Sequence, residues 1–492
     1  MKGGIVPTTQ ELTLCRPFPD GQQTVLAGHR RSVAHEGYLM TQDAVSGRTL
    51  KNRHIAMIAL GGVIGAGLFV GSSSAITVAG PAVLLAYALC GGLIMVVMRM
   101  LGEMVMQQPG LGSFVEYIRQ GYGSRSGFVA GWMYWFFWVV AMGSEAIAGG
   151  LLMQDWIALP IWLLAVGIIL VLMAVNLRSV DVFGECEFWL SLMKVASIIM
   201  FIVMGVLFVG HMFGPGISVR ANYLGHAGFA PHGITAILAV IPTIMFSMIG
   251  SEVATVAAAE SANPRVGVAR VTRSIGVRVT VFYLTSIMLL LAIVPWTEVT
   301  AGKSPFIAAM SVMGVPGAAT IMRVVVFSAI LSCLNSSLYI TSRILAELAR
   351  SGNAPALLAR HSAQGAPRSA LIASTFAGLV VAFCSILSPN VIFSFLLSCS
   401  GGVILLVYLL IAVSYLVMMR RRNTMGRIWQ GYVSIGGICM VFVAMLLDPT
   451  ERMTAIASLL NAVFFVCLYD GWQVVARRRN RASTTSVGQG YP

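Results

Sequence analysis

Twelve stretches of about twenty apolar residues recur along this chain of 492 residues, and they restrict its fold more than any other feature. A hydrocarbon core about 30 Å thick takes roughly 20 residues of helix to cross. Inside lipid the backbone must satisfy its own hydrogen bonds, so each stretch predicts a membrane-spanning α-helix. The stretches fall at about 54–78, 81–105, 127–153, 159–176, 186–210, 233–257, 275–296, 318–348, 369–388, 391–416, 428–447 and 453–475. With 57% hydrophobic and 10% charged residues, a soluble multidomain chain is excluded. The expected class is an all-α membrane protein: a disordered tail over 1–50, a membrane domain over 51–480, and a second disordered tail over 481–492.

An even number of spans puts both ends on one side, and charge selects the side. Twenty-seven of the 32 Lys and Arg lie at the N-terminal side, while Arg220, Lys303, Arg323 and Arg452 lie opposite and Lys194 sits within a span. By the positive-inside rule both termini are expected in the cytoplasm, with the protein multi-pass in the cytoplasmic (inner) membrane. The net charge of +14 then belongs to loops facing anionic lipid, and no nucleic-acid partner is expected. Residues 1–50 lack the apolar core of a signal peptide. Met40 leaves two readings of residues 1–39, an upstream start or a genuine tail. The eight cysteines and seven histidines show no metal-ligand spacing, so no metal is expected and the cysteines read as small apolar side chains. Oligomeric state is not legible.

Two spans carry internal breaks. In the first, Gly61–Gly71 reads GGVIGAGLFVG, with five glycines in eleven positions, which weakens the helix and leaves the amides of Gly65, Ala66 and Gly67 bare. Such a stretch suits close helix packing, or an unwound backbone lining a cavity. The sixth span, ILAVIPTIMFSMIGSEVATVAAAES, places Pro242 before Ser247, Gly250, Ser251 and Glu252, and reads as a second interrupted helix. The second break comes five spans after the first, an odd offset, so the two run in opposite directions. Paired breaks at corresponding places point to an inverted repeat of five and five spans, plus two extra, with a binding site at the midplane.

Ionisable groups within spans are costly and usually face a cavity or partner. Glu145, in span three, is a candidate for site lining or proton exchange, against a buried structural pair. Lys194, in span five, either snorkels to the headgroups or is a buried amine that gains and loses a proton during transport. The aromatics Trp132, Tyr134, Trp135, Phe136, Phe137 and Trp138 read as an interfacial belt. Arg99 and Glu103 are spaced to pair on one helix face. Ser332, Asn335, Ser336 and Ser337 of span eight either join helices or line the face opposite span one. Short loops without paired carboxylates or a catalytic histidine speak against an enzyme.

The segments LKNRHIAMIALGGVIGAGLFVGSSSAITVAGPAVLLAYAL, MFSMIGSEVATVAAAESANP and SCLNSSLYITSRILAELARSGNAP resemble bacterial amino-acid permeases of the amino acid, polyamine and organocation superfamily. The likeness runs from about Leu50 to Asp470. TVAAAES, GECEFWLSLMK and IVPW resemble in particular the 4-aminobutyrate permeases. The resemblance implies a twelve-span fold like that of a bacterial leucine transporter, with a 5+5 inverted repeat and two further helices, driven by protons. It implies that the substrate carboxylate meets the amides of Gly65, Ala66 and Gly67, with the Val63 and Ile64 carbonyls nearby. The substrate amine would meet carbonyls of the second break, Phe246, Ser247, Met248, Ile249 and Gly250, with Phe246 closing over it. Lys194 would fill the place where sodium-driven relatives hold a cation, Ser336 and Ser337 would be the matching hydroxyls, and Glu252 the glutamate at the break. Met248 and Ile249 depart from the usual pattern, which affects the substrate more than the mechanism.

The expected function is import of a zwitterionic amino acid, 4-aminobutyrate by motif, through proton symport with alternating access. No cofactor is expected beyond the proton, and the expected partners are the amino-acid substrate and membrane lipid. Alternatives are a permease for proline or an aromatic or basic amino acid, or an exchanger in the same fold.

Overall fold

The computed structural model describes residues 64–108, 113–177, 180–214, 216–225, 227–250, 252, 280–360, 367–422 and 427–487. Among them every regular element is helical, and eight helices are long and apolar enough to cross a membrane. The first of these, Gly67–Gln107, turns at Gly80, whose φ of 61° is open to a residue without a side chain. It divides there into α1 (Ser72–Ala79) and α2 (Val83–Gln107), close to the two spans expected from sequence. The others are α3 (Ser124–Met153), α5 (Val180–Val209), α8 (Ala318–Arg350), α9 (Arg368–Phe383), α10 (Pro389–Arg421), α11 (Trp429–Leu447) and α12 (Arg452–Val487). Three shorter apolar helices, α4 (Ile161–Asn176), α6 (Gly233–Met248) and α7 (Thr280–Ile293), fall at the predicted fourth, sixth and seventh spans. Helix α12 continues to Val487, past the position where the sequence suggests a disordered tail.

The interior is organised around α3. It packs most extensively along α8 and also against α10, which in turn meets α6. The apolar windows of α3 and α10 are 78% buried, whereas that of α12 is 22% buried, so α12 is a peripheral helix with Leu460, Val463 and Phe464 exposed. Close approach depends on small residues, as expected where lipid removes the hydrophobic drive between helices. A Cβ on Gly401 of α10 would lie 1.8 Å from the Pro242 carbonyl oxygen, so α10 rests directly on the backbone of α6. That contact fixes the helix that leads into the second break. At one end of α2 the expected Arg99–Glu103 pair forms at 3.7 Å, and Glu103 also takes bonds from Arg427 at 2.7 Å and the Tyr415 hydroxyl at 2.6 Å.

Candidate functional site

The two interrupted segments meet beside α3. Ile64 and Gly65 are not helical; the chain then enters a wide π turn over Gly67–Gly71 before α1 begins. Opposite, α6 ends at Met248, Ile249 is extended, and Gly250 takes a φ of 123°. The segments touch at backbone level, because a Cβ on Gly67 would stand 2.6 Å from the Ser247 Cα. Val63 and Ser251 lie outside the described residues.

Glu145 enters this junction from α3. Only 1% exposed, it accepts the Ala66 N–H on both carboxyl oxygens, at 3.1 and 3.0 Å. The Cys333 thiol of α8 stands beside it, on the same side of Gly65. Gly65 must be glycine here, since a Cβ would fall 2.6 Å from the Glu145 Oε1 and 2.8 Å from the Cys333 Sγ. Thus an amide expected to meet the substrate carboxylate already meets a carboxylate of the protein. The geometry suits an anion, because free N–H groups at a helix start carry partial positive charge.

Around this contact lies a small cavity of about 10 Å³, room for about one water. Gly65, Gly67, Glu145, Phe246, Ser247 and Ile249 line it, together with Phe137, Trp138, Ala141 and Cys333. Phe246 packs on Phe137 with ring centroids 6.0 Å apart. Met248 and Gly250 stand aside from that lining. The Ser247 carbonyl, one of the oxygens expected to meet a substrate amine, accepts the Tyr283 hydroxyl of α7.

Lys194 is completely buried rather than snorkelled, and its Nζ donates to the Ile64 carbonyl at 2.8 Å. The amine therefore braces the first break. Glu252 accepts the hydroxyls of Tyr134 on α3, at 3.2 Å, and Tyr408 on α10, at 3.3 Å, and also the Gly250 N–H at 3.3 Å. It ties the second break to two central helices. Ser337 donates to the Cys333 carbonyl of its own helix at 2.8 Å, while the buried Ser336 hydroxyl has no partner among the described residues.

Two sequence readings need correction. Tyr134, Phe137 and Trp138 are not part of an interfacial belt: each is at most 2% exposed, and they face the cavity or Glu252. Cys333 is not merely an apolar filler, since it lines the cavity together with Glu145. Sequence reasoning also passed over Glu187, a fully buried carboxylate on α5. The signal was present, because Glu187, Ser191 and Lys194 are spaced i, i+4, i+7 and so share one helix face.

Apolar spanning helices closing around a small cavity between two interrupted segments define a membrane transport protein, in which exposed backbone is tolerated because it lines a site. The chain belongs to the amino acid permease family, whose model it matches over residues 54–483. It is 42% identical over 418 residues to a gamma-aminobutyric acid permease of Bacillus subtilis, covering 82% of this chain and 89% of that one. A probable GABA permease of Pseudomonas aeruginosa is 40% identical over 453 residues, with 89% and 95% covered. An aromatic amino acid transport protein of Escherichia coli is 37% identical over 437 residues, with 86% and 94% covered.

Proposed function

We propose that this permease imports a zwitterionic amino acid, 4-aminobutyrate by preference, together with a proton. The observation that carries the reading is the Glu145 carboxylate held on the Ala66 amide. A backbone donor that accepts one carboxylate at the break is chemically fit to accept the substrate's, once Glu145 lets go. Protonating Glu145 weakens its hold, because a hydrogen bond to a charged acceptor is roughly twice as strong as a neutral one. Proton uptake and carboxylate binding then become one event.

Charge bookkeeping supports coupling to proton uptake. Lys194 carries one positive charge against the negative charges of Glu145, Glu187 and Glu252 when all are ionised, and all four are buried. A neutral zwitterion cannot relieve that excess of negative charge, whereas protons taken up with it do, and an unbalanced charge inside a protein is strongly unfavourable. The proposed frame is a twelve-span 5+5 inverted repeat with two further helices, both termini cytoplasmic in the inner membrane, working by alternating access.

Substrate preference rests on the relatives that are GABA permeases. A second reading, an aromatic amino acid, is favoured by the aromatic transport relative and by Phe137, Trp138 and Phe246 in the lining. The deciding experiment is uptake of labelled 4-aminobutyrate into proteoliposomes, with and without an inward proton gradient, competed by proline, lysine, phenylalanine and alanine. Gradient-driven uptake blocked chiefly by unlabelled 4-aminobutyrate is the expected result. Blocking by phenylalanine would replace the substrate, and counterflow without any gradient dependence would make the protein an exchanger.

A further inference from the structure

Glu187 sits in a cradle outside the lining of the cavity. It is fully buried on α5 and accepts three donors: the Ser332 hydroxyl at 2.5 Å, the Ser191 hydroxyl at 3.2 Å and the Asn335 amide at 3.4 Å. Asn335 is oriented in turn by Asn176 of α4, whose amide donates to its Oδ1 at 2.7 Å. Three donors converging on one carboxyl group favour its ionised form, because an ionised carboxylate only accepts. A buried anion also needs a cation, or it is strongly destabilising.

Lys194 is the cation on the same helix. The two residues share a face of α5, seven positions and about 10 Å of helix rise apart. Side chains in a helix lean toward its N-terminus, so the lysine leans back toward Glu187. The ionisable groups that face Lys194 are Glu187 on its own helix, Cys333 on α8 and Glu145 on α3. The groups that face Glu187 are Lys194, Ser191 and Cys186 on its own helix and Ser332 and Asn335 on α8. Lys194 therefore stands between the Ile64 carbonyl at the break and a carboxylate two turns further along α5.

We propose that Glu187 is the resting charge partner of Lys194 and the acceptor to which Lys194 hands the coupling proton on its way to the cytoplasm. For the handover the lysine leaves the Ile64 carbonyl and swings back to Glu187; one N–H bond of the ammonium breaks and one O–H bond forms on the carboxylate, and the neutral amine left behind takes up the proton from Glu145, the group that carried it in. Its direction follows from the orientation proposed above, in which α5 begins at the cytoplasmic side, so that Glu187 is the nearer group to that compartment. Helix α8 links the cradle to the substrate, since it carries Ser332 and Asn335 to Glu187 and Cys333, between them in sequence, to the cavity. The inference rests on the proton-symport reading, and its test separates the two.

The experiment compares wild type and Glu187→Gln in proteoliposomes with labelled 4-aminobutyrate. The expected result is that counterflow exchange persists in Glu187→Gln, while accumulation driven by an inward proton gradient falls to the level seen without one. Gradient-driven accumulation equal to wild type in Glu187→Gln would overturn the handover. If wild type itself ignores the gradient, the symport reading fails. The pairing is then decided by thermal unfolding of purified Glu187→Gln, Lys194→Gln and the double variant. The double variant is expected to unfold above the temperature given by adding the two single shifts, because removing both charges leaves neither stranded. Simple additivity would overturn the pairing, and the same cycle, read as membrane insertion, applies if either single variant does not insert.

Discussion

The sharpest test of the junction between the two breaks is the smallest possible addition to it, Gly67→Ala. A methyl group there would stand 2.6 Å from the Ser247 Cα and 2.8 Å from its Cβ, against the 3.4–4 Å of ordinary contact. The nearest atom is backbone, so no rotamer change relieves the clash, and the segments must part by about 1 Å. Overpacking of this kind costs about 1–3 kcal/mol. If that strain falls on the arrangement that binds substrate, affinity drops roughly 5- to 150-fold, at 1.4 kcal/mol per factor of ten. Gly92→Ala, on α2, is the matched control, since a Cβ there meets nothing within 4 Å among the described residues. Equilibrium binding of labelled 4-aminobutyrate to the two purified variants reads the difference, with size-exclusion behaviour verifying that both are folded. Equal affinity in wild type and folded Gly67→Ala would show that the junction is not where substrate binds.

Three further outcomes are expected. Lys194→Ala strands Glu187 and Glu145, which should cost roughly 3–5 kcal/mol and lower the thermal midpoint; at reduced temperature it should still bind substrate yet fail to accumulate it against a proton gradient. Glu145→Gln removes the charge that competes for the Ala66 amide, so binding of 4-aminobutyrate should tighten by about 1 kcal/mol, roughly fivefold, and lose its dependence on pH; an unchanged pH profile would remove Glu145 from the coupling. Gly401→Ala forces α10 off the Pro242 carbonyl and should destabilise the protein by at least about 3 kcal/mol, read as a lowered unfolding temperature in detergent; an unshifted midpoint would contradict the backbone contact between α10 and α6.

Much of the molecule is visible in the order of its residues. Hydropathy locates helices such as α8 and α11 within a few residues, because lipid forces an apolar stretch of that length to satisfy its own backbone. Glycine density marks the non-helical step at Ile64 and Gly65, and Pro242 with Gly250 marks the region where α6 ends, because propensity is local physics. The cost of burying charge singles out Glu145 and Lys194.

Which groups would meet is a different kind of information. Nothing near Glu145 in sequence says that its carboxylate lands on the Ala66 amide, 79 residues away, or that Cys333 joins it. The aromatics of α3 illustrate the same limit: composition alone suits a membrane interface, and only the packing of α3 against α8 and α10 turns Tyr134, Phe137 and Trp138 inward. Glu187 and Lys194 lie between the two cases, since helical periodicity puts them on one face, while α8 supplies the donors that make that face a charge cradle. The chain by itself determined what must lie in the membrane, where its helices would weaken and which charges would be expensive there, since those follow from local propensity and transfer energy. The tertiary structure alone decided which carboxylate takes which amide and which amine braces the break, because hydrogen bonds and ion pairs act over a few ångströms and only packing brings distant residues that close.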